Sequence, residues 1–337
     1  LGHFKNNLKE YEKWTLPAFD IKLSNTLITP SVRYINKNLK LNFGSQISFS
    51  ENYNNMIERL IPNATSLNIG PYAILDFEKN NFGLNSGIRY DYKSLKSIDD
   101  IFNTNFDEVF STTSLSSGIY YNHKEHILRF CYSEAFRSPH FSELFSNGVH
   151  HGTNRYEIGD QQLDIEKANQ IDFKYQWSNN HIGLIINPFT QYITNFISLN
   201  PLDSIINGYR VYKYTQYDKV EIKGLEINLH YHPKQIKNIH LEQSYSFLKT
   251  KNKDDSYGLA LIPANSIKTH AHIDLSEYEK LIKYKLNRFT IYHLYKFKQN
   301  SFAEFEESTD SYSVINLSIG LNFSNSFKGS FLVNNLL

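Results

Sequence analysis

A single cysteine, Cys131, stands in a chain of 337 residues. It excludes an internal disulfide, and its setting in an alternating run makes it an inert strand residue rather than a reactive thiol. Long apolar runs are absent too, since no stretch approaches the ~18 residues that a membrane-spanning helix requires. Net charge is close to nil, with 35 Lys and Arg against 34 Asp and Glu for a formal +1. That leaves no basic stripe for nucleic acid, which is excluded as a partner. No Ser-His-Asp order and no carboxylate pair stands out, so the chain is not read as an enzyme. The first residues, Leu1-Gly2-His3, contain neither a start methionine nor a signal peptide.

What the sequence has in quantity is aromatic side chains. Tyr and Phe contribute 24 each and aromatics make up 15% of the chain, yet mean hydropathy is −0.47. A chain polar on average but rich in rings is what strands produce when one face meets lipid and the other water. Period-two alternation recurs throughout. Phe82, Leu84, Ile88, Tyr90 and Tyr92 oppose Asn85, Arg89 and Asp91. Leu225, Ile227, Leu229 and Tyr231 oppose Glu226, Asn228, His230 and His232. An opening strand runs from Ala18 to Tyr34 with an interruption at Pro30, and Pro188 marks a bulge in a later one.

The links between strands alternate in length. Short ones fall at 36–38, 78–81, 122–125, 178–181, 233–238, 277–283 and 324–326. Long ones fall at 51–63, 93–110, 199–208, 249–263 and 298–310. A soluble sandwich has no reason to sort its links by parity, whereas an outer-membrane barrel has short periplasmic turns and long extracellular loops. Strand-end aromatics such as Tyr90-Tyr92, Tyr175-Trp177 and Tyr295-Phe297 suit rings lodged at the bilayer interfaces. The pattern predicts an all-β fold, an antiparallel up-and-down transmembrane β-barrel of roughly fourteen strands, each paired to its sequence neighbour. A soluble sheet with one wet face is the competing fold, but it needs protected edges and a second buried face, and neither is evident.

The longest excursion joins a strand through Phe130 and Tyr132 to one through Ile171, Phe173, Tyr175 and Trp177. A loop this long between compact strands tends to be functional. It opens with Phe136-Arg137-Ser138-Pro139 and Glu143-Leu144-Phe145, and closes with Gly159-Asp160-Gln161-Gln162-Leu163 and Glu166-Lys167. These paired boxes resemble those of TonB-dependent outer-membrane receptors. The likeness extends to Ile61-Pro62, Gly87-Ile88-Arg89-Tyr90-Asp91-Tyr92, Lys223-Gly224-Leu225-Glu226, Leu261-Ile262-Pro263-Ala264-Asn265 and Val333-Asn334-Asn335-Leu336, in that order.

The resemblance implies a 22-stranded barrel with a plugged lumen, placed in the cell outer membrane among lipid. It implies uptake of a scarce nutrient, an iron complex (siderophore or haem) or a metal ion such as zinc, energised through the TonB complex. No intrinsic cofactor is expected; a metal ion or haem would be cargo. The whole of 1–337 reads as barrel domain, incomplete at both ends and without the plug or the segment that meets TonB. A surface-exposed β-rich binding or adhesion protein is the alternative function.

Within the excursion, His140, His150, His151, Arg155, Glu157 and Asp160 are the candidate ligand-binding residues. Imidazoles with carboxylates suit zinc, copper or iron, so His150, His151, Glu157 and Asp160 form the candidate metal set, with His140 a third imidazole. Adjacent histidines splay apart in extended backbone, and Gly148 and Gly152 would have to bend the chain for both to converge. The plain reading of this loop is a solvated one whose Gly148, Gly152 and Gly159 shape turns. His230/His232 and His270/His272 are pairs on single strand faces with His240 nearby, and their plain role is lining the lumen beside Arg89, Arg129 and Glu226.

Overall fold

The computed structural model describes residues 1–11, 17, 19–55, 60–99, 104–233, 236, 238–253, 257–275, 286–323 and 326–337. They form one sheet of 18 strands. The first half of the wall runs β1 (Gly2–Glu10), β2 (Phe19–Ile28), β3 (Ser31–Asn36), β4 (Leu39–Asn54), β5 (Ala64–Lys79), β6 (Phe82–Asp99), β7 (Thr104–His123) and β8 (His126–Arg137). The excursion follows with α1 (Phe141–Phe145), β9 (Asn147–His150) and β10 (Arg155–Ile158). The wall resumes with β11 (Glu166–Ser178), β12 (Ile182–Ile206), β13 (Tyr209–Tyr231), β14 (Ile239–Asn252) and β15 (Ser266–Asp274), then β16 (Leu286–Lys296), β17 (Tyr312–Asn322) and β18 (Lys328–Val333).

Wall strands pair antiparallel with their sequence neighbours, and β8 meets β11 across the excursion. Among the described residues no pairing joins β1 to β18, so the sheet is unclosed. β2 and β3 lie in a single register on β4, Ile28 opposite Ile47 and Ser31 opposite Gly44. They are one wall strand broken at Pro30, as the sequence predicts. β1 is an addition, because its polar GHFKNNLKE shows little alternation.

The outer face carries the apolar residues. Leu39, Phe77, Leu84, Ile119, Phe130 and Phe173 stand opposite one another across successive strands. Ile88 is 54% and Ile119 60% exposed. An apolar belt of that extent has lipid as its solvent. Ile227 lies between Ile186 and Tyr245 on this face, and Leu225, Ile227 and Leu229 enter neither buried cluster. The opposite face is polar: the Arg89 guanidinium donates to Asp91 at 2.7 Å, and Ser244 donates to Asn228 at 2.7 Å.

Three sequence expectations are corrected. The stretch 93–110 is mostly strand, since β6 continues to Asp99 and β7 begins at Thr104. The stretch 199–208 is likewise strand up to a tight turn at Asn207 (φ 53) and Gly208 (φ 84). Positive φ at both positions is the type I′ geometry that Asn-Gly favours. Ser, Asp and Asn had made these stretches look like loops. Above the lipid, however, a strand needs no apolar face and its ladder is enough. Crossing a bilayer takes about 9–11 residues, so β12 and β13, with 25 and 23, project well beyond it. Pro188, finally, marks no bulge. Asp172 faces Phe189 and Tyr175 faces Ile186 in one unbroken register, with the ladder to β11 merely lapsing at the proline.

Candidate functional site

The excursion folds back against the inner face of these projecting strands. Its helix is a single turn of five residues, too short to stand alone. A capping box holds its start: the His140 ring accepts from the Ser142 N–H, and the Glu143 carboxylate accepts from the His140 N–H at 2.7 Å. Leu144 and Phe145 then pack with Leu95 and Phe106 of the β6–β7 hairpin, Leu163, and Ile197 of β12. Phe106 and Phe145 meet edge to face at 5.0 Å.

The residues that carry the family resemblance turn out to build this anchor. The Arg137 Nη1 donates to both oxygens of Glu143 at 2.8 Å, and its Nη2 donates to Glu166 at 3.1 Å. One guanidinium thereby ties the end of β8 to α1 and to the start of β11. Gly159 runs so close to α1 that a Cβ there would lie 2.6 Å from the Leu144 carbonyl carbon. Only glycine permits that approach. Asp160 is engaged locally: its N–H donates to the Glu143 carbonyl, and its carboxylate accepts from the Gln162 N–H at 2.9 Å.

β9 and β10 form a small hairpin inside the mouth. β10 pairs in parallel with the upper part of β13, Tyr156 opposite Val211 and Glu157 opposite Tyr212. This stretch of β13 lies above the point where β14 joins at Val220, so the hairpin covers an edge that would otherwise stay open. Among the described residues this is the one parallel exception to the expected meander.

Of the six candidate ligand residues, the hairpin brings three together. Glu157 is buried, 2% exposed. Its Oε1 lies 3.0 Å from the His150 Nδ1 and accepts from the Arg155 Nε at 2.8 Å. Arg155 also lies over the Tyr212 ring at 5.1 Å. Burial, and then the Glu157 carboxylate, push the Tyr214 phenol up to about 12. His140 stands apart as the helix cap and Asp160 as a turn residue, while the side chain of His151 lies outside the described residues. Among the described residues, three donors do not converge at this loop; the set that does is His230, His232 and His240.

Beside the hairpin opens a cavity of about 770 Å³, lined by His140, Phe141, Val149, His150 and Lys93 on one side and by strands β1, β2, β4 and β5 on the other. Lys93, which sequence reasoning passed over as a link residue, donates to the Pro139 carbonyl at 2.9 Å. Burial lowers its ammonium to about 8. Burial and then the Lys93 charge lower His140 as well. The wall of this cavity therefore offers imidazole lone pairs from His140 and His150 and a readily neutralised cation in Lys93.

Solved structures with the same architecture come from several receptors. The chain matches the copper transporter OprC with a TM-score of 0.77 at 16% identity, over 99% of this chain and 55% of that one. It matches the FrpB iron transporter from Neisseria meningitidis (F5-1 variant) with 0.71 at 14% identity, over 95% and 52%. The siderophore receptor PirA from Acinetobacter baumannii gives 0.69 at 13% identity, over 99% and 54%. The chain thus spans about half the length of these receptors. A family model described as TonB dependent receptor-like, beta-barrel matches residues 5–336. With its outward apolar belt, polar inner face and mouth anchored by the paired boxes, the chain belongs to the β-barrel domain of the TonB-dependent receptors, a family of the outer membrane.

Proposed function

We propose that this chain forms the wall of an outer-membrane receptor that takes up a scarce nutrient, energised through TonB, and that its substrate is an iron complex or a metal ion captured at the mouth. The observation that carries this reading is the His150–Glu157–Arg155 cluster, placed beside a cavity of about 770 Å³ also lined by His140 and Lys93. That volume lies in the range of ordinary ligand pockets.

The chemistry of the wall favours a complex over a bare cation. Glu157 is already shared between a guanidinium and an imidazole, and Glu143 between Arg137 and the helix cap. Lys93, a cation on the cavity wall, is thus left to meet anionic groups, such as those of a ferric siderophore or the propionates of haem. His150 and His140 supply nitrogen donors for an iron centre, with His151 and Asp160 as further ligands if the loop rearranges around its cargo.

The test uses the full-length receptor in detergent, titrated with haem, a ferric siderophore and zinc. His150→Ala and Glu157→Gln should each weaken the true cargo at least tenfold and leave the others unchanged. Unaltered affinity for all three, in these variants and in the His150→Ala/His151→Ala pair, would remove this loop from the binding site.

A further inference from the structure

A second group of side chains, at the opposite end of the lumen, has the form of a metal site. β13 runs down the wall from the mouth, and its last turns reach the short link that precedes β14. His230 and His232 stand at that end, and His240 faces them from the start of β14. They share the polar inner face with Asn228 and Ser244. Measured along β13 from the Glu157 pairing position at Tyr212, His230 is about 60 Å away. Nothing at the mouth reaches it.

The nitrogens converge. His240 Nδ1 lies 3.2 Å from His230 Nε2 and 3.3 Å from His232 Nδ1, and one donor atom from each ring falls within 4.8 Å of the other two. Two nitrogens bound to a single tetrahedral zinc at ~2.0–2.1 Å must sit about 3.3–3.4 Å apart. The two short spacings already meet that requirement.

The protonation pattern agrees. The other nitrogen of His240, Nε2, lies 2.7 Å from Glu242 Oε1. An ionised carboxylate only accepts, so Nε2 carries the proton and Nδ1 presents a lone pair to both neighbouring histidines. One lone pair cannot satisfy two imidazole donors well, whereas a cation between the three rings uses a lone pair from each. The carboxylate behind His240 is the arrangement that orients metal-bound imidazoles. It is itself held, its Oε2 lying 3.5 Å from His270 Nδ1, while His272 stacks on His240 at 4.4 Å.

We propose that His230, His232 and His240 form a three-histidine site for a divalent transition cation of the zinc and copper class, with Glu242 positioning His240 and a fourth position open to the lumen. Three neutral nitrogens with one open position match the borderline metals and not calcium or magnesium, which take oxygen. The site goes beyond uptake at the mouth and does not depend on which cargo is taken there.

The experiment is titration of the full-length receptor in detergent with Zn²⁺ by calorimetry and with Co²⁺ by its visible absorption. The expected result, besides any equivalent that His150→Ala removes from the mouth, is one saturable equivalent with the intense absorption of tetrahedral cobalt. His240→Ala should lose it, Glu242→Gln should weaken it 10–100-fold, and His150→Ala should leave it in place. Absence of any saturable equivalent at micromolar metal would overturn the proposal. So would the same stoichiometry and spectrum in the His230→Ala/His232→Ala/His240→Ala variant. Should that variant not fold, His232→Ala alone serves, since His232 lies beyond the end of β13; an affinity within twofold of the wild type would be equally decisive against the site.

Discussion

Lys93 shows how one residue can set the electrostatics of a cavity. It lies beyond the ~11 residues of β6, counted from Phe82, that lipid can cover, and its amine is packed beneath Pro139. The unfolded chain holds a proton on this amine up to about 10.5, whereas the folded one sheds it at about 8. Between these two values the unfolded state therefore binds more protons, and stability rises with pH. Below 8 both states are charged and the cost of burying the ammonium is present in full. A ¹³C-lysine titration, assigned by Lys93→Met, should show one resonance with a midpoint near 8. A midpoint at the ordinary lysine value would mean that this amine is solvated and the docked loop is loose.

At the level of elements, the mouth depends on α1 more than its single turn suggests. Leu144 is 1% exposed and packs against residues from both projecting hairpins. Leu144→Ala should cost about 2–5 kcal/mol. Because the wall strands have their own ladders, that loss should fall on the excursion alone. Hydrogen exchange of 140–163 should accelerate by orders of magnitude while β4 to β8 stay protected. If exchange accelerates uniformly across the wall instead, the excursion and barrel fold as one unit. The loop is anchored separately from its β9–β10 hairpin, so Arg137→Ala should loosen the same segment through lost ties to Glu143 and Glu166. Hydrogen bonds to charged groups contribute about 1.5–3 kcal/mol, and the 43% exposure of the Arg137 side chain places this case at the low end.

For the whole molecule, lipid on one side and water on the other decide which substitutions are tolerated. Ile227 and Asn228 are adjacent, and alternation sends them to opposite faces. Ile227→Lys should cost on the order of 2–4 kcal/mol near the bilayer midplane, while Asn228→Lys joins a face that already carries Arg89 and Asp91. Urea unfolding of the full-length receptor in lipid vesicles would separate the two. Equal effects would contradict the assigned faces. No helix among the described residues is long and apolar enough to cross a membrane.

Much of this was legible in the sequence because it is local. Alternation at residues such as Leu225 to Tyr231 needs no partner to be seen, since the side-chain period is a property of extended backbone. The order of the boxes at Arg137, Glu143, Gly159 and Glu166 was visible as well, though what they do was not. That Arg137 ties three elements together, or that Gly159 is small because α1 passes over it, depends on residues distant in sequence arriving side by side. The projecting halves of β6, β7, β12 and β13 were hidden for another reason: outside lipid, a strand is held by its neighbour's backbone and carries no apolar signature. The two histidine groups show the division most clearly. Sequence spacing marked His150 and His151 as adjacent candidates and His230 and His232 as a pair on one face. Only the tertiary structure could bring Glu157 and Arg155 to His150, and set His240 with its Glu242 opposite His230, because both depend on the register between strands and not on either strand alone.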